Sequence, residues 1–346
     1  MDIAAIALSG GVDSAMAAWL LREQGFEVLG LHADLGLTEP HQDALLRELA
    51  AFLHIRLEIV PLREAFREQV RDYLIAEYRE ARTPNPCVIC NRTIKFDRLF
   101  RRSRELGAVR FATGHYARTL PCPWGDGMTI GRGADPAKDQ SYFLHRLSRE
   151  VLPRLLFPLG DRTKTEVKTL AREIGLPVIQ QNESQDVCFL PPGGYREFML
   201  REVGESLNRG GDMVDLQGRK LGKHQGLYAY TVGQRRGLGL PGKEPYYVVR
   251  MNPQKNELVI GTKRDLEQNG CRVGKVYWLC RPPEIGGLRV QVQLRYRHRP
   301  ASATLSHQSD HSLLVRFDRP EKAVTPGQAA VFYLNEAVLG GGWIEP

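Results

Sequence analysis

Ser9-Gly10-Gly11-Val12-Asp13-Ser14 sits between two segments of different texture. Ahead of it, residues 3–8 form a short apolar run of the kind buried in a parallel sheet. Behind it, Ala15-Met16-Ala17-Ala18-Trp19-Leu20-Leu21 is strongly helix-forming. The pattern predicts strand, glycine turn, helix. Two glycines let the chain turn tightly with its N–H groups bared, and a helix N-terminus adds the positive end of its dipole. Ser9 and Ser14 bring hydroxyls that can donate to phosphate, and Asp13 is a candidate for placing Mg²⁺. These features describe a pyrophosphate cradle. The stretch lacks the Gly-Lys-Ser/Thr of a Walker loop and the spacing of G-x-G-x-x-G, which counts against ordinary NTPase chemistry and hydride transfer.

Outward from this loop, the first half of the chain alternates strands and helices. Strands are expected at 27–32, 56–60 and 109–114, and helices at 42–53, 63–79, 95–106 and 165–174, the last capped by Gly175. That rhythm predicts an α/β fold with a doubly wound parallel sheet that binds ligands at the strand C-termini. After Pro191-Pro192-Gly193-Gly194 glycines become frequent, and Arg219, Lys220, Lys223, His224, Arg235 and Arg236 gather. From about Cys271 onward β alternation dominates, as in Leu288-Arg289-Val290-Gln291-Val292-Gln293-Leu294, and spaced turn signals predict a small barrel. Three units are expected: a catalytic one over 1–194, a small β-rich one over 195–262, and a C-terminal β-barrel over 263–346.

The 346 residues carry a formal net charge of +8, which is suggestive of a polyanionic partner without deciding it. No apolar stretch approaches membrane-span length, and the chain opens directly into a strand rather than a basic and apolar leader, so a cytoplasmic protein is expected. Six cysteines are too few for a disulfide scaffold in a chain this long. Cys122, Cys271 and Cys280 read as buried inert thiols.

Cys87 and Cys90 differ from those three. Thr83-Pro84-Asn85-Pro86 stiffens a loop that ends in Cys87-Val88-Ile89-Cys90, just before the helix expected from Lys95. A helix N-terminus with Arg92 and Lys95 beside it predicts lowered thiol pKa values. Cys188 lies far along the chain in Ser184-Gln185-Asp186-Val187-Cys188-Phe189, at the expected edge of the first unit. No second C-x-x-C follows at finger spacing, so structural zinc is a weak reading. Thiols combined with an ATP-activating loop point to sulfur transfer.

The loop at 9–14 resembles that of the PP-loop ATP pyrophosphatases, which split ATP between its α- and β-phosphates and adenylate a carbonyl oxygen. The likeness extends along the chain. It includes Ala112-Thr113-Gly114-His115-Tyr116-Ala117-Arg118, Lys138-Asp139-Gln140-Ser141-Tyr142-Phe143-Leu144, Tyr230-Thr231-Val232-Gly233-Gln234-Arg235-Arg236, Arg295-Tyr296-Arg297 and Pro326-Gly327-Gln328. With these motifs the sequence resembles the bacterial tRNA-specific 2-thiouridylases over nearly its whole length. The resemblance implies thiolation at C2 of the wobble uridine in tRNAs for Lys, Glu and Gln, with ATP and Mg²⁺. It implies that Cys90 is the nucleophile and Cys188 the persulfide carrier. Asn85, Pro86 and Cys87 would surround the target base, and His115, Lys138, Asp139, Gln140, Arg295, Tyr296 and Gln328 would contact tRNA. Ala7, Leu8, Ser9, Gly10, Gly11, Val12, Asp13, Ser14, Ala33 and Gly114 would line the ATP pocket.

Two departures from the family pattern matter. Position 87 most often holds Asp in the family and here holds Cys, and the 32–40 loop is shorter than usual and lacks an aromatic. Two sulfur routes therefore stay open. In one, Cys188 carries a persulfide from a cysteine desulfurase or sulfur-relay donor, and a Cys90–Cys188 disulfide is left behind. In the other, Cys87, Cys90 and Cys188 ligate a [4Fe–4S] cluster whose open iron binds free sulfide. Two rivals remain beside this reading: a PP-loop enzyme that adenylates a small-molecule carbonyl, and a non-catalytic RNA-binding protein.

Overall fold

The computed structural model describes residues 1–37, 40–177, 187–204, 209–242 and 244–346. Part of the shortened 32–40 loop, and Glu183 to Asp186 of the motif ahead of Cys188, lie outside the described residues.

The chain begins as expected with β1 (Ile3–Ala7), the glycine turn and α1 (Val12–Glu23). Then come β2 (Glu27–Asp34), α2 (Pro40–Phe52) and β3 (Arg56–Pro61). Helix α3 spans 63–79 and helix α4 spans 86–105, followed by β4 (Arg110–Thr113). A hairpin of β5 (Ala117–Pro121) and β6 (Met128–Arg132) leads to the short β7 (Leu155–Leu156) and to α5 (Lys164–Glu173). Five parallel strands form one sheet in the order β3-β2-β1-β4-β7. Both faces are covered. Ala4, Ile6, Met16, Leu21, Leu46 and Leu49 pack on the α1–α2 side, and Leu29, Leu31, Phe66, Val70, Phe96 and Phe111 on the α3–α4 side. The small residues Ala15, Ala17 and Ala18, all fully buried, let α1 lie close to the sheet.

Strand order places the site. From β1 the chain winds outward through β2 to β3, then returns to the other side of β1 as β4. Ala7 is in register with Leu31 on one side and Thr113 on the other. The crevice at such a reversal is where doubly wound sheets bind ligands. The loop at 9–14 leaves β1 there, and Gly114 follows β4.

Helix α6 (Gly194–Val203) leads to a four-stranded sheet of β8 (Gly211–Val214), β9 (Lys220–His224), β10 (Tyr247–Asn252) and β11 (Glu257–Gly261). The last strands are β12 (Glu267–Trp278), β13 (Leu288–Gln293), β14 (Ala301–His307), β15 (Leu313–Lys322), β16 (Ala329–Leu334) and β17 (Ala337–Ile344). They run in the order β12-β15-β14-β13-β16-β17, and β17 pairs back to β12 to close the barrel. Closure removes the free edges that an open sheet would present.

Two expectations, on Cys122 and Cys280 and on the start of α4, need correction, and the placement of the β5–β6 hairpin is a feature the sequence reading did not address. The β5–β6 hairpin, which lies in the first half of the sequence, joins the barrel sheet through Gly131 opposite Ala337. Cys122 and Cys280 are bonded as a disulfide, with Cα atoms 5.7 Å apart, rather than being two inert thiols; the bond staples that hairpin to the barrel. Lastly, α4 starts at Pro86 instead of Lys95. Proline is tolerated at the first helical position, where its missing N–H has no intrahelical partner to lose. The helix is α-helical at Pro86–Cys90, π-helical at Asn91–Leu99 and α-helical again at Phe100–Glu105.

Candidate active site

Gly10 has φ +84°, a left-handed turn that a side-chain-bearing residue would adopt only with strain, and Gly11 caps α1 in extended conformation. The first helical bond runs from Ala15 N–H to Gly11 O, so the N–H groups of Val12, Asp13 and Ser14 precede it. Ser14 Oγ accepts from Ser9 N–H, lies 3.1 Å from Ser9 Oγ, and donates to Gly11 O, which closes the turn on itself. Gly114 passes so near that an added Cβ would lie 2.7 Å from the Asp13 carbonyl carbon and the Ser14 nitrogen. This cradle fits the phosphates of ATP: backbone donors, a helix N-terminus and hydroxyls converge at the sheet's switch point. His32, at the end of β2, donates from Nδ1 to Leu8 O and ties the ends of β1 and β2 together next to Ala33.

Asp13 does not fit the metal-placing role expected of it. Its Oδ1 and Oδ2 accept from Lys164 Nζ at 2.6 and 2.7 Å, and Oδ1 also accepts from Tyr116 Oη at 2.8 Å. The carboxylate is committed to a protein cation. Lys164 escaped the sequence reading although a signal was present. Thr163 and Glu166 form a capping box that starts α5, with Lys164 as its first residue. A cation at the positive end of a helix is misplaced electrostatically unless something compensates. Here the compensation is Asp13, 151 positions away.

The three thiols lie near enough to sense each other's charge, and Cys87 and Cys90 occupy the first turns of α4. Their pKa values run opposite to expectation. Burial pushes Cys87 up to about 12, with the neighbouring Cys188 and Cys90 adding to the rise. Burial likewise pushes Cys90 up to about 11 and raises Cys188. Lys95 opposes the rise at all three but does not outweigh desolvation. The i→i+5 bonding of the π segment stacks position 95 over position 90, one turn along, and π segments of this kind recur at functional sites. His115 also faces Lys95; burial, then that charge, holds its imidazole neutral far below the usual range.

At neutral pH, Cys87 and Cys90 of the tRNA-free protein are accordingly expected to alkylate more slowly than free cysteine. The rate should climb about tenfold per pH unit through pH 9, because only thiolate reacts. A rate that is flat between roughly pH 7 and roughly pH 9 would show a lowered pKa instead. Among the described residues no group of three His, Cys, Asp or Glu side chains is arranged to hold a metal ion.

Comparison with known proteins bears on the whole chain. Residues 2–192 match the family model described as tRNA methyl transferase HUP domain. Residues 196–262 match a tRNA methyl transferase PRC-barrel domain, and 268–344 an aminomethyltransferase beta-barrel domain. The chain is 44% identical to the tRNA-specific 2-thiouridylase MnmA of Syntrophotalea carbinolica, over 98% of this chain and 97% of that protein. It is 45% identical to the protein of that name from Chloroflexus aurantiacus, again over 98% and 97%. The chain belongs to the tRNA-specific 2-thiouridylase family. The match to the Acidithiobacillus ferrooxidans member is equally complete, 44% identical over 99% of this chain.

Within this 2-thiouridylase, the residues that the family likeness assigns to tRNA fall into two groups. Arg295 is exposed, and Tyr296 packs its ring 4.5 Å from that of Phe143 with Arg297 above it. Lys138 is half-buried in the turn that follows Asp135. Others are spent internally. His115 is buried with its Nδ1 2.8 Å from Thr113 Oγ1. Asp139 accepts from Arg132, from Gly133 N–H and from the Ser141 N–H and hydroxyl. Gln140 Oε1 accepts from Tyr116 N–H, and Gln328 Nε2 donates to the Thr83 and Pro84 carbonyls. Of the basic cluster, His224 is buried and hydrogen-bonded to Asn256 O and Gly226 N–H, while Arg219 and Lys220 pair with Asp215 and Asp212. Arg235 and Arg236 stay exposed.

Proposed function

We propose that this protein uses ATP to install sulfur at C2 of the wobble uridine in tRNAs for Lys, Glu and Gln. The observation that carries the reading is the presence, in one unit, of a phosphate cradle at the sheet's switch point and of three thiols near enough to sense one another's charge. A uridine C2 oxygen is a poor leaving group. Adenylation by ATP converts it into part of AMP, and the cradle's N–H groups take up charge on the departing pyrophosphate. A sulfur nucleophile then attacks C2 and AMP leaves. Methyl transfer, which two of the family-model descriptions name, would use neither the cradle nor the thiols.

In this reading Asn85, Pro86 and Cys87 receive a base flipped out of the anticodon loop. Arg235, Arg236, Arg295 and Arg297 hold RNA phosphate, with Tyr296 available for stacking. Sulfur arrives as a persulfide on Cys188, supplied by a cysteine desulfurase or relay protein. No helix among the described residues is long and apolar enough to cross a membrane; we place the enzyme in the cytoplasm with its tRNA. The test incubates the protein with ATP, a persulfide donor and unmodified tRNA, followed by nucleoside analysis. Formation of 2-thiouridine and of AMP should both require tRNA. Pyrophosphate release at an undiminished rate without tRNA would favour the rival reading, a PP-loop enzyme acting on a small-molecule carbonyl.

A further inference from the structure

Arg92 was expected to act on the thiols, yet the cation that does so is Lys95. The charge of Arg92 falls on Arg146 instead. Arg146 follows the turn Ser141–Leu144 and lies half-buried where the catalytic unit meets the barrel. Its Nη1 donates to Lys275 O of β12 at 2.9 Å, and its guanidinium carbon is 5.5 Å from the ring centre of Trp343 on β17. Its Nε is buried and has no acceptor. Burial, and then the like charge of Arg92, lowers its pKa.

Among the described residues no carboxylate pairs with Arg146 or with Arg92, which is exposed on α4 two positions past Cys90. Glu77, whose charge reaches the neighbouring Tyr73, is already bonded to Arg82 at 2.7 Å. His145 adds no charge, because burial holds its pKa down at about 3. Two like charges, one of them half-buried against an aromatic face and a single carbonyl, form an unfavourable arrangement that an anion would complete. The position says which anion. The Trp343 ring lies 6.1 Å from that of Tyr73, and Tyr73 is hydrogen-bonded to the Asn85 backbone. One tyrosine therefore links the cationic pair to the loop proposed to receive the base.

We propose that Arg92 and Arg146 form an RNA-phosphate site beside the base pocket, sharing one backbone phosphate close to the flipped nucleotide. This rests on the functional reading above. Flipping rotates a nucleotide about its backbone, so the phosphates on either side must be held while the base leaves its stack. Guanidinium groups suit that task, since their planar fork matches phosphate oxygens and loses little freedom on binding. Arg146 reaches the site from a segment seated on the barrel, and Arg92 reaches it from the helix that carries Cys87 and Cys90. A phosphate shared by the two would thus tie the RNA to both units at the point where the base enters.

The experiment measures binding of an anticodon stem–loop RNA to the full chain, to Arg92→Gln, to Arg146→Gln and to the double variant. In a matching set of RNAs, each loop phosphate in turn is replaced by an uncharged methylphosphonate. Each single variant should bind the unmodified RNA about 3- to 10-fold more weakly, and the slope of log affinity against log salt should shrink by about one unit in the double variant. One methylphosphonate should weaken the unaltered chain by a similar factor and cost the double variant less than about 2-fold, because its partners are already gone. Arg146→Lys keeps the charge and should retain most of the affinity. Coupling at none of the phosphates would overturn the proposal. So would an Arg146→Gln protein that binds every RNA equally weakly while Arg92→Gln changes nothing, which would make Arg146 a brace between the units. Variants that bind RNA normally but accept sulfur more slowly from a donor protein would assign the pair to an acidic protein surface and also overturn it. Binding is read without ATP or a sulfur donor. Coupling without 2-thiouridine formation would therefore sustain the site and refute the activity, and thiolation without coupling would do the reverse.

Discussion

Cys188→Ser is expected to stop 2-thiouridine formation, by at least about 10³-fold, while tRNA-dependent release of AMP and pyrophosphate continues. Adenylation needs the cradle and the uridine oxygen, not the thiols, so the two half-reactions separate. Cys188 is the exposed residue of the three, although its sulfur is desolvated enough for its pKa to rise, whereas Cys87 and Cys90 are half-buried. In the persulfide route the terminal sulfur on Cys188 bonds to C2, and the C2 oxygen departs on AMP. Cys90 thiolate then attacks Cys188 Sγ and breaks its bond to the transferred sulfur. That sulfur remains as the thiocarbonyl, the two cysteines end as a disulfide, and an external thiol supplies the two electrons that reset them. Cys90→Ser should then trap a covalent tRNA adduct on Cys188, visible on a non-reducing gel. Cys87→Ala should retain at least about a tenth of the activity, since a thiol at its raised pKa is a poor substitute for a proton-handling carboxylate. Full loss in Cys87→Ala, together with about four irons and matching sulfide in anaerobically purified protein, would replace this route with the cluster.

Much of this architecture was legible because its signals are local. An apolar run, a glycine turn and an alanine-rich helix are read within 20 residues or so, and their sum implies the switch-point site. The barrel was legible for the same reason, from the β alternation of 288–294 and evenly spaced turns. What could not be read is what depends on partners far along the chain. Lys164 finds Asp13 across 151 positions, Cys122 finds Cys280 across 158, and the β5–β6 hairpin finds β17 across some 200. Thiol pKa was misread because neighbouring charge shows in sequence and burial does not; at Cys90 desolvation outweighs Lys95. Pro-Asn-Pro looked like a loop running on to Lys95, yet proline is as much a helix starter as a breaker, and Pro86 starts α4. His115, Asp139, Gln140 and Gln328 were singled out by their motifs. Their side chains turn inward, a direction that sequence spacing does not carry.

Lys164→Ala should cut adenylation by about 10²- to 10³-fold in kcat/KM for ATP, the range lost when one preorganised group facing developing negative charge is removed. The Lys164 side chain is only 8% exposed, and its Nζ donates to both carboxylate oxygens of Asp13 in the first turn of α1. An aspartate there is favourable toward the helix dipole but unfavourable toward a pyrophosphate that must bind the same N-terminus. Lys164 resolves the conflict by neutralising Asp13, with Tyr116 Oη fixing the carboxylate's orientation. Removing the lysine leaves a partly buried carboxylate without its counter-charge beside the incoming phosphates. That cost falls on ATP binding and on the transition state, and tRNA affinity should stay within about 2-fold because the basic residues proposed to hold RNA, Arg235, Arg236, Arg295 and Arg297, lie elsewhere in the chain. Asp13→Asn removes the repulsion and the pairing together, so the double variant Asp13→Asn with Lys164→Ala should lose clearly less than the product of the single losses. Losses that multiply would mean that the two residues act independently. Unchanged pyrophosphate release in Lys164→Ala would show that the pair only braces α5 against α1, a role that a drop in thermal stability at full activity would identify.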